Sequence, residues 1–495
     1  MTASDSLFSL IKSLAKSELR YFRLFCKDEN NSIRLFDAMQ KIKGSYDEDA
    51  FKEKYKNSEF IKNLPYNKHY LYNLILKSLI NYDYEKTVKL KIFSLLQKSE
   101  LLLKKKLPKE SLKMIITAKK LTINYDLYSM LMFILDQEKV IYSLWTLSDD
   151  TAENFAMINK EKKMYLKIIS NLEEYKELNE SVYKFLMTSH LLPKNKLDKT
   201  LAVFVNNALL KNHDKAISFR AKITLYDTLI LLHSVKSDFE NSYIYQKKFL
   251  ELLETRKFET EAGLLNYLRG YNNFMYLCLQ TNRDEEFMAT HGKTEKLFRD
   301  NYNQSKNNKT LGYTYLQNCN LNLLYYIKTK NFESGEKYIS SIKSFLDTEA
   351  RAVSEDIYIN VLVNAVGILF SIFEYTRALH WVNKLLLDKS IHLRNDFLLS
   401  VSIMNFIIHF EMEDYELLPA LHKNLSKKMA ELNTEDKLYT EILSLLKNIS
   451  TLPGKSEVKI ITNDLKRFLN MKTNAEYKSR FERELYFLST WMEGK

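Results

Sequence analysis

Asp238-Phe239-Glu240, Asn331-Phe332-Glu333, Glu374-Tyr375-Thr376 and Asp414-Tyr415-Glu416 are four versions of one phrase, each lying between two stretches with helical hydrophobic spacing. Their aromatic positions step by 93, 43 and 40 residues, the first step being about two repeats long. A short phrase returning at that period between paired helices is the mark of a helical-hairpin solenoid, in which each pair buries its apolar face only against its neighbours. Such a stack acts through a shaped surface, so the phrase predicts an architecture and not a reaction.

The segments after the phrase share further detail. Three residues past the aromatic comes a small side chain, Ser242, Gly335 and Ala378, and ten residues past it a large apolar one, Phe249, Ile342, Leu385 and Leu425. The small residue lets two helices approach, and the large one fills the seam. The fourth copy breaks the rule with Leu418, and a copy at Arg283-Asp284-Glu285-Glu286 keeps the spacing without the aromatic. Further upstream, Val88 to Lys106 and Pro108 to Thr122 read as another pair, with Pro108 suited to a first helical turn.

The 495 residues exceed what one compact core usually supports, yet five prolines and nine glycines leave few linkers, which suits a continuous stack. A hydrophobic share of 45% excludes a disordered chain. A mean hydropathy of -0.33 excludes a membrane bundle. The long apolar runs Ile357 to Phe373 and Phe397 to Phe410 carry polar interruptions such as Asn360, Asn364 and Asn405, so they read as buried helices and not spans. Asp5 and Glu18 stand where a secretory leader needs a basic head and an unbroken apolar run, so the expected location is the cytoplasm. Cys26, Cys278 and Cys319 lie too far apart for a disulfide framework or a cysteine zinc site.

The formal charge of +12 invites a nucleic-acid reading, because clustered lysines neutralise phosphates. The excess is Lys-rich and accompanied by abundant Asn, Ile, Tyr and Phe, the signature that AT-rich coding leaves on any protein. The run Lys104-Lys105-Lys106 points three ways around a helix and reads as its cationic C-terminal end.

Residues 1–86 differ from the rest, and the chain divides on sequence into this amino-terminal module and a solenoid over 87–495. Ser4 to Lys27 reads as one helix, Ser32 to Lys43 as a second ended by Gly44, a third is capped by Ser45, and Tyr66 to Tyr84 makes a fourth. Two readings stand: a cap over the open end of the stack, or a helix-turn-helix-like nucleic-acid reader presenting Asn67, Lys68, His69, Asn73 and Lys77.

The phrase of an acid or amide, an aromatic, two residues and a small residue resembles the start of the second helix in tetratricopeptide repeats. The period here is longer, and the small residue of the first helix and the closing proline are missing. The string Leu10-Ile-Lys-Ser-Leu-Ala-Lys-Ser-Glu-Leu-Arg-Tyr-Phe-Arg-Leu-Phe25, with Tyr70-Leu-Tyr-Asn-Leu-Ile-Leu-Lys-Ser-Leu79, is similar to tetratricopeptide-like helical-repeat proteins of the Bacteroidetes. The resemblance implies a bacterial cytoplasmic protein with an all-α, right-handed helical-hairpin solenoid and an amino-terminal helical cap.

No motif of chemistry is complete. Gly454-Lys455-Ser456 ends like a phosphate-binding loop, but the required earlier glycine is Ile449. His380, His392, His409 and His422 lack metal-ligand spacing, and Glu411, Glu413, Asp414 and Glu416 read as a charged turn. The chain is therefore read as non-catalytic, with no cofactor or metal. One polar pattern remains: Asn318 and Asn322 four apart, Asn360 and Asn364 four apart on the next first helix, then Asn405. Spacing of four sets each pair on one helix face, and stacked first helices align them into an amide stripe able to hold an extended peptide backbone. Tyr315, Tyr325 and Trp381 are candidate anchors beside it. The expectation is a scaffold that binds a protein or peptide; the alternatives are a nucleic-acid-binding regulator and a self-assembling stack.

Overall fold

The computed structural model describes residues 3–26, 31–84, 87–145, 150–189, 193–256, 261–302, 308–388, 391, 393–431 and 437–451. Gly454-Lys455-Ser456, His392 and everything beyond residue 451 lie outside them. Among the described residues all regular structure is helical, with no strand. No helix there is long and apolar enough to cross a membrane.

The chain forms two compact units. The first takes residues 1–178 and 212–224, the second 179–211 and 225–495. In the first unit α1 (Ala3–Ser13), α2 (Lys16–Phe25), α3 (Asn31–Gln40), α4 (Glu48–Lys54), α5 (Glu59–Lys62) and α6 (Leu64–Tyr82) enclose a core of their own around Leu35, Phe36 and Ile75. After residue 86 a new core begins, built by α7 (Val88–Lys104), α8 (Pro108–Asn124) and α9 (Tyr128–Trp145) around Ile92, Ile115 and Ile134. The 40-residue α10 (Asp150–Ser189) contributes to both units.

The stretch expected as one helix from Ser4 to Lys27 is two, because the chain turns at Leu14-Ala15 and Glu18 reaches back to accept from the Ala15 N–H at 2.6 Å. Lys27 itself is outside the described residues. Asp47, not Ser45, caps the following helix, accepting from Asp49 N at 2.9 Å and Ala50 N at 3.1 Å.

Next come α11 (Lys194–Val205), α12 (Ala208–Lys211), a 3-10 turn at His213–Lys215 and α13 (Phe219–Val235). The second unit continues with α14 (Phe239–Glu254), α15 (Glu261–Thr281), α16 (Asp284–Tyr302), α17 (Lys309–Lys328), α18 (Phe332–Thr348), α19 (Ala350–Val353), α20 (Glu355–Ser371), α21 (Tyr375–Leu387) and α22 (Asn395–Glu411). A 3-10 turn at Tyr415–Leu417 leads into α23 (Leu418–Glu431) and α24 (Lys437–Ser450). Within this unit α15 packs on α17 and α17 on α20, so the first helices of successive hairpins lie side by side.

The recurring phrase is one turn geometry repeated. Lys106, Asp126, Ser237, Asn282, Lys330, Phe373 and Glu413 all have φ between 53 and 67°, the left-handed conformation that ends a helix. The N–H that follows each returns to the carbonyl five residues back, as in Asp238 to His233, Arg283 to Cys278, Asn331 to Tyr326, Glu374 to Leu369 and Asp414 to His409, at 2.9–3.0 Å. The acid or amide then starts the next helix: Asp238 Oδ1 accepts from Asn241 N, and Asn331 Oδ1 from Ser334 N. The aromatic folds back on the helix just ended, Tyr375 on Phe370 with ring centres 5.4 Å apart and Tyr415 on Phe410 at 5.9 Å. Arg283 marks the same turn without its aromatic. The small residues Ser242, Gly335 and Ala378 and the large Ile342, Leu385 and Leu425 are all buried in the seams, whereas Phe249 is only half-buried.

Candidate functional site

First helices that lie side by side present one open face, and in the second unit that face carries a groove of 710 Å³. The end of α15 gives it Tyr276, Leu279 and Gln280, and the turn after it Asn282; α17 gives Asn320, Leu324, Ile327 and Lys328. From α20 come Asn360, Val363, Asn364 and Gly367, and from α22 Met404. The residues of each helix recur at intervals of three and four, which is one ridge of a helix surface.

Three hydrogen bonds define its chemistry. Asn364 Nδ2 donates to Asn320 Oδ1 at 2.9 Å, linking neighbouring first helices across the groove floor. Asn360 Nδ2 donates to the Asp356 carbonyl at 2.9 Å. Asn405, next to Met404, is half-buried and does not line the groove. Lys328 Nζ donates to the Leu279 carbonyl near the end of α15. Burial raises the Tyr276 phenol above its ordinary pKa, so it stays protonated and able to donate at neutral pH. Amides thus supply both donors and acceptors between Leu324, Val363 and Met404, and the lining contains one cation and no carboxylate.

Of the five asparagines of the predicted stripe, Asn360 and Asn364 face this groove and Asn318 and Asn322 do not. The latter two are 0% and 1% exposed. Asn318 Nδ2 donates to Asn272 Oδ1 at 2.9 Å and Thr294 Oγ1 at 3.3 Å, and Asn322 Nδ2 donates to Asn318 Oδ1 at 3.0 Å and the Tyr338 hydroxyl at 3.2 Å. They knit α15, α16, α17 and α18 together from inside, and cannot reach a ligand on the groove face. Asn320, which the spacing argument passed over, takes the place assigned to them. The expected anchors are also core: Tyr315 lies between Phe298 and Phe345, with ring centres 4.9 Å away on either side. Tyr325 stacks on Phe287 at 4.3 Å, and Trp381 is 3% exposed.

The interior amide chain continues to the surface through Tyr338, whose hydroxyl donates to Glu295 at 3.2 Å. There a shallow cavity of 570 Å³ is lined by His291, Glu295, Lys296, Arg299 and Tyr338. Burial holds the His291 imidazole below its ordinary pKa, so it is neutral at pH 7. Burial also pushes the Cys278 and Cys319 thiols up to about 12, which leaves neither as a thiolate nucleophile. Among the described residues no group of three or more His, Cys, Asp or Glu side chains is placed to hold a metal ion. His409 instead bonds Asp414 at 2.8 Å, and His422 approaches the Leu443 carbonyl at 3.2 Å.

In the amino-terminal module, α6 exposes His69, Asn73 and Lys77, four residues apart along one face, while Lys68 is buried and Asn67 half-buried. Lys68 is 6% exposed, bonds Glu48 at 2.6 Å and lies 4.8 Å above the Tyr46 ring. Asn67 Nδ2 donates to the Phe60 carbonyl at 2.9 Å, and Asn73 Nδ2 to the His69 carbonyl at 3.0 Å. Lys77 is exposed. Of the five residues of the predicted set, Asn67 and Lys68 are engaged in the module's own packing and the other three face solvent.

Set against protein-family models, curated proteins and solved structures, the chain matches none.

Proposed function

We propose that this chain is a non-catalytic scaffold, a tetratricopeptide-like right-handed solenoid with an amino-terminal helical cap, that binds an extended segment of a protein partner in the bacterial cytoplasm. The observation that carries the reading is the amide pair Asn320 and Asn364 on neighbouring first helices, set in the floor of an open groove with apolar walls. Side-chain amides match both the N–H and the C=O of a peptide group, so they can hold a backbone whatever its sequence. The test is retention of synthetic peptides on an array by the full chain and by N320A/N364A. Loss of retention with an unchanged melting temperature supports the reading, and equal retention overturns it.

The rival, a regulator that reads nucleic acid with residues 1–86, draws on Lys77 and on the overall charge of +12. It predicts binding that weakens steeply with salt and is lost in K77E. A stack that only self-assembles predicts an oligomer and no retained peptide.

A further inference from the structure

We infer that Gly367 opens a notch in the groove that receives one bulky apolar side chain of the bound peptide, an inference that rests on the groove reading above. The hairpins can be aligned on their left-handed residues Asn282, Lys330, Phe373 and Glu413. Six residues before each stand Tyr276 on α15, Leu324 on α17, Gly367 on α20 and Ile407 on α22. Tyr276 and Leu324 are 44% and 36% exposed and rise as groove walls, and Ile407 is fully buried. Gly367 lines the same groove with no side chain at all, so the wall stops there, and the next helix adds only the buried Met404 to the lining.

Nothing in the chain's own packing requires a glycine at this place. A Cβ built on Gly367 meets no atom within 4 Å, whereas one on Gly335 comes within 3.0 Å of Ile368 Cδ1 and 3.1 Å of Tyr326 Cβ. Gly335 is a packing glycine; Gly367 leaves open space beside the amides. Apart from proline, glycine is the poorest helix former, and Gly367 sits well inside α20. The empty volume is on the ligand side.

The amides around it fit the same occupant. Asn364 uses one N–H on Asn320, which leaves the Asn364 carbonyl and the Asn320 N–H groups facing the groove; Asn360 keeps its carbonyl one turn away. Residues four apart on a helix are about 6 Å apart. Alternate residues of an extended chain are about 6.6 Å apart. Asn360 and Asn364 can therefore address alternate peptide groups, and the side chain that follows the group held at Asn364 lies over Gly367, one turn further along α20. A lining with Lys328 and no carboxylate suits neighbours that are neutral or acidic rather than basic.

The full chain, as wild type, G367A, G367L and N320A/N364A, is applied to an array of synthetic random dodecapeptides, with melting temperatures measured alongside. Wild type is expected to retain peptides sharing a Leu, Met, Phe, Tyr or Trp. G367L should lose them by tenfold or more, and G367A should bind more weakly while melting higher, since about 1.4 kcal/mol is a factor of ten in affinity. Retained peptides with no shared apolar position, or G367A and G367L binding them as wild type does, would overturn the notch and leave the groove standing. No retention by wild type, or full retention by N320A/N364A, would overturn the groove reading and the notch together.

Discussion

Gly335 lies against Ile368 across the seam between two successive hairpins, so close that a Cβ would stand 3.0 Å from Ile368 Cδ1 and 3.1 Å from Ile368 Cγ2. Replacing it with alanine gains about 1 kcal/mol of helix propensity. Overpacking costs about 1–3 kcal/mol, and here it dominates because Tyr326 Cβ, also 3.1 Å away, is fixed to its own backbone. G335A should lower the unfolding free energy by a net of about 1 kcal/mol, read as a lower denaturant midpoint. A midpoint at or above wild type would mean that the seam relaxes freely.

Phe373 ends α20 at φ 64° with three quarters of its surface in solvent. A bulky side chain in the left-handed region costs about 1–2 kcal/mol, and an exposed ring recovers little of it by packing. F373G should therefore raise the melting temperature, through a stability gain of about 1 kcal/mol at most once the glycine's extra freedom in the unfolded chain is set against it. A lower melting temperature would show that the edge contact of Phe373 with the Tyr375 ring outweighs the strain.

How far the sequence was legible follows from that turn. The phrase containing Phe332 and Tyr375 located the hairpins because an acid or amide at the helix start and an aromatic beside it recur at these turns, although the left-handed residue before them varies from Ser237 to Lys330, Phe373 and Glu413, and the small residue after it located the seams. What the phrase did not give is which face of each first helix opens outward. Asn318 and Asn322 share a face with each other, and their spacing is the same whether that face meets α16 or solvent. Counting back from the turn does carry the signal, because Asn320 lies ten residues before Lys330 and Asn364 nine before Phe373. The buried Lys68 was illegible for a different reason: its partner Glu48 is on another helix, twenty residues away.

In the first unit, Lys119 on α8 bonds Glu138 of α9 at 2.9 Å and Glu161 of α10 at 2.6 Å, with all three side chains a quarter exposed or less. Burial works against the Lys119 charge, and the bonds to Glu161 and Glu138 more than offset it, so its pKa is above the ordinary lysine value. K119M strands two carboxylates and should cost about 3–5 kcal/mol in urea unfolding. Adding E138Q and E161Q to K119M should recover most of that loss; no recovery would refute the electrostatic account.

Asp238 is held below its ordinary carboxyl pKa chiefly by the Asn241 side chain, with His233 and the Asn241 backbone N–H contributing. A depressed carboxyl gives stability that is present above its unfolded value and lost as pH falls through the folded one. D238A should cost about 1 kcal/mol near neutral pH, as for a lost helix cap. That deficit should shrink below pH ~4, where the wild-type carboxyl takes up its proton. A deficit that stays constant down to acid pH would contradict the assignment.

Hydrogen exchange on the full chain, with and without a peptide selected on the array, tests the groove most directly. The account predicts slowed exchange confined to the groove-lining turns, Asn320–Lys328 on α17 and Asn360–Gly367 on α20, with α6 unchanged. Slowing at α6 or at the His291 cavity, with α17 and α20 exchanging as before, would contradict it.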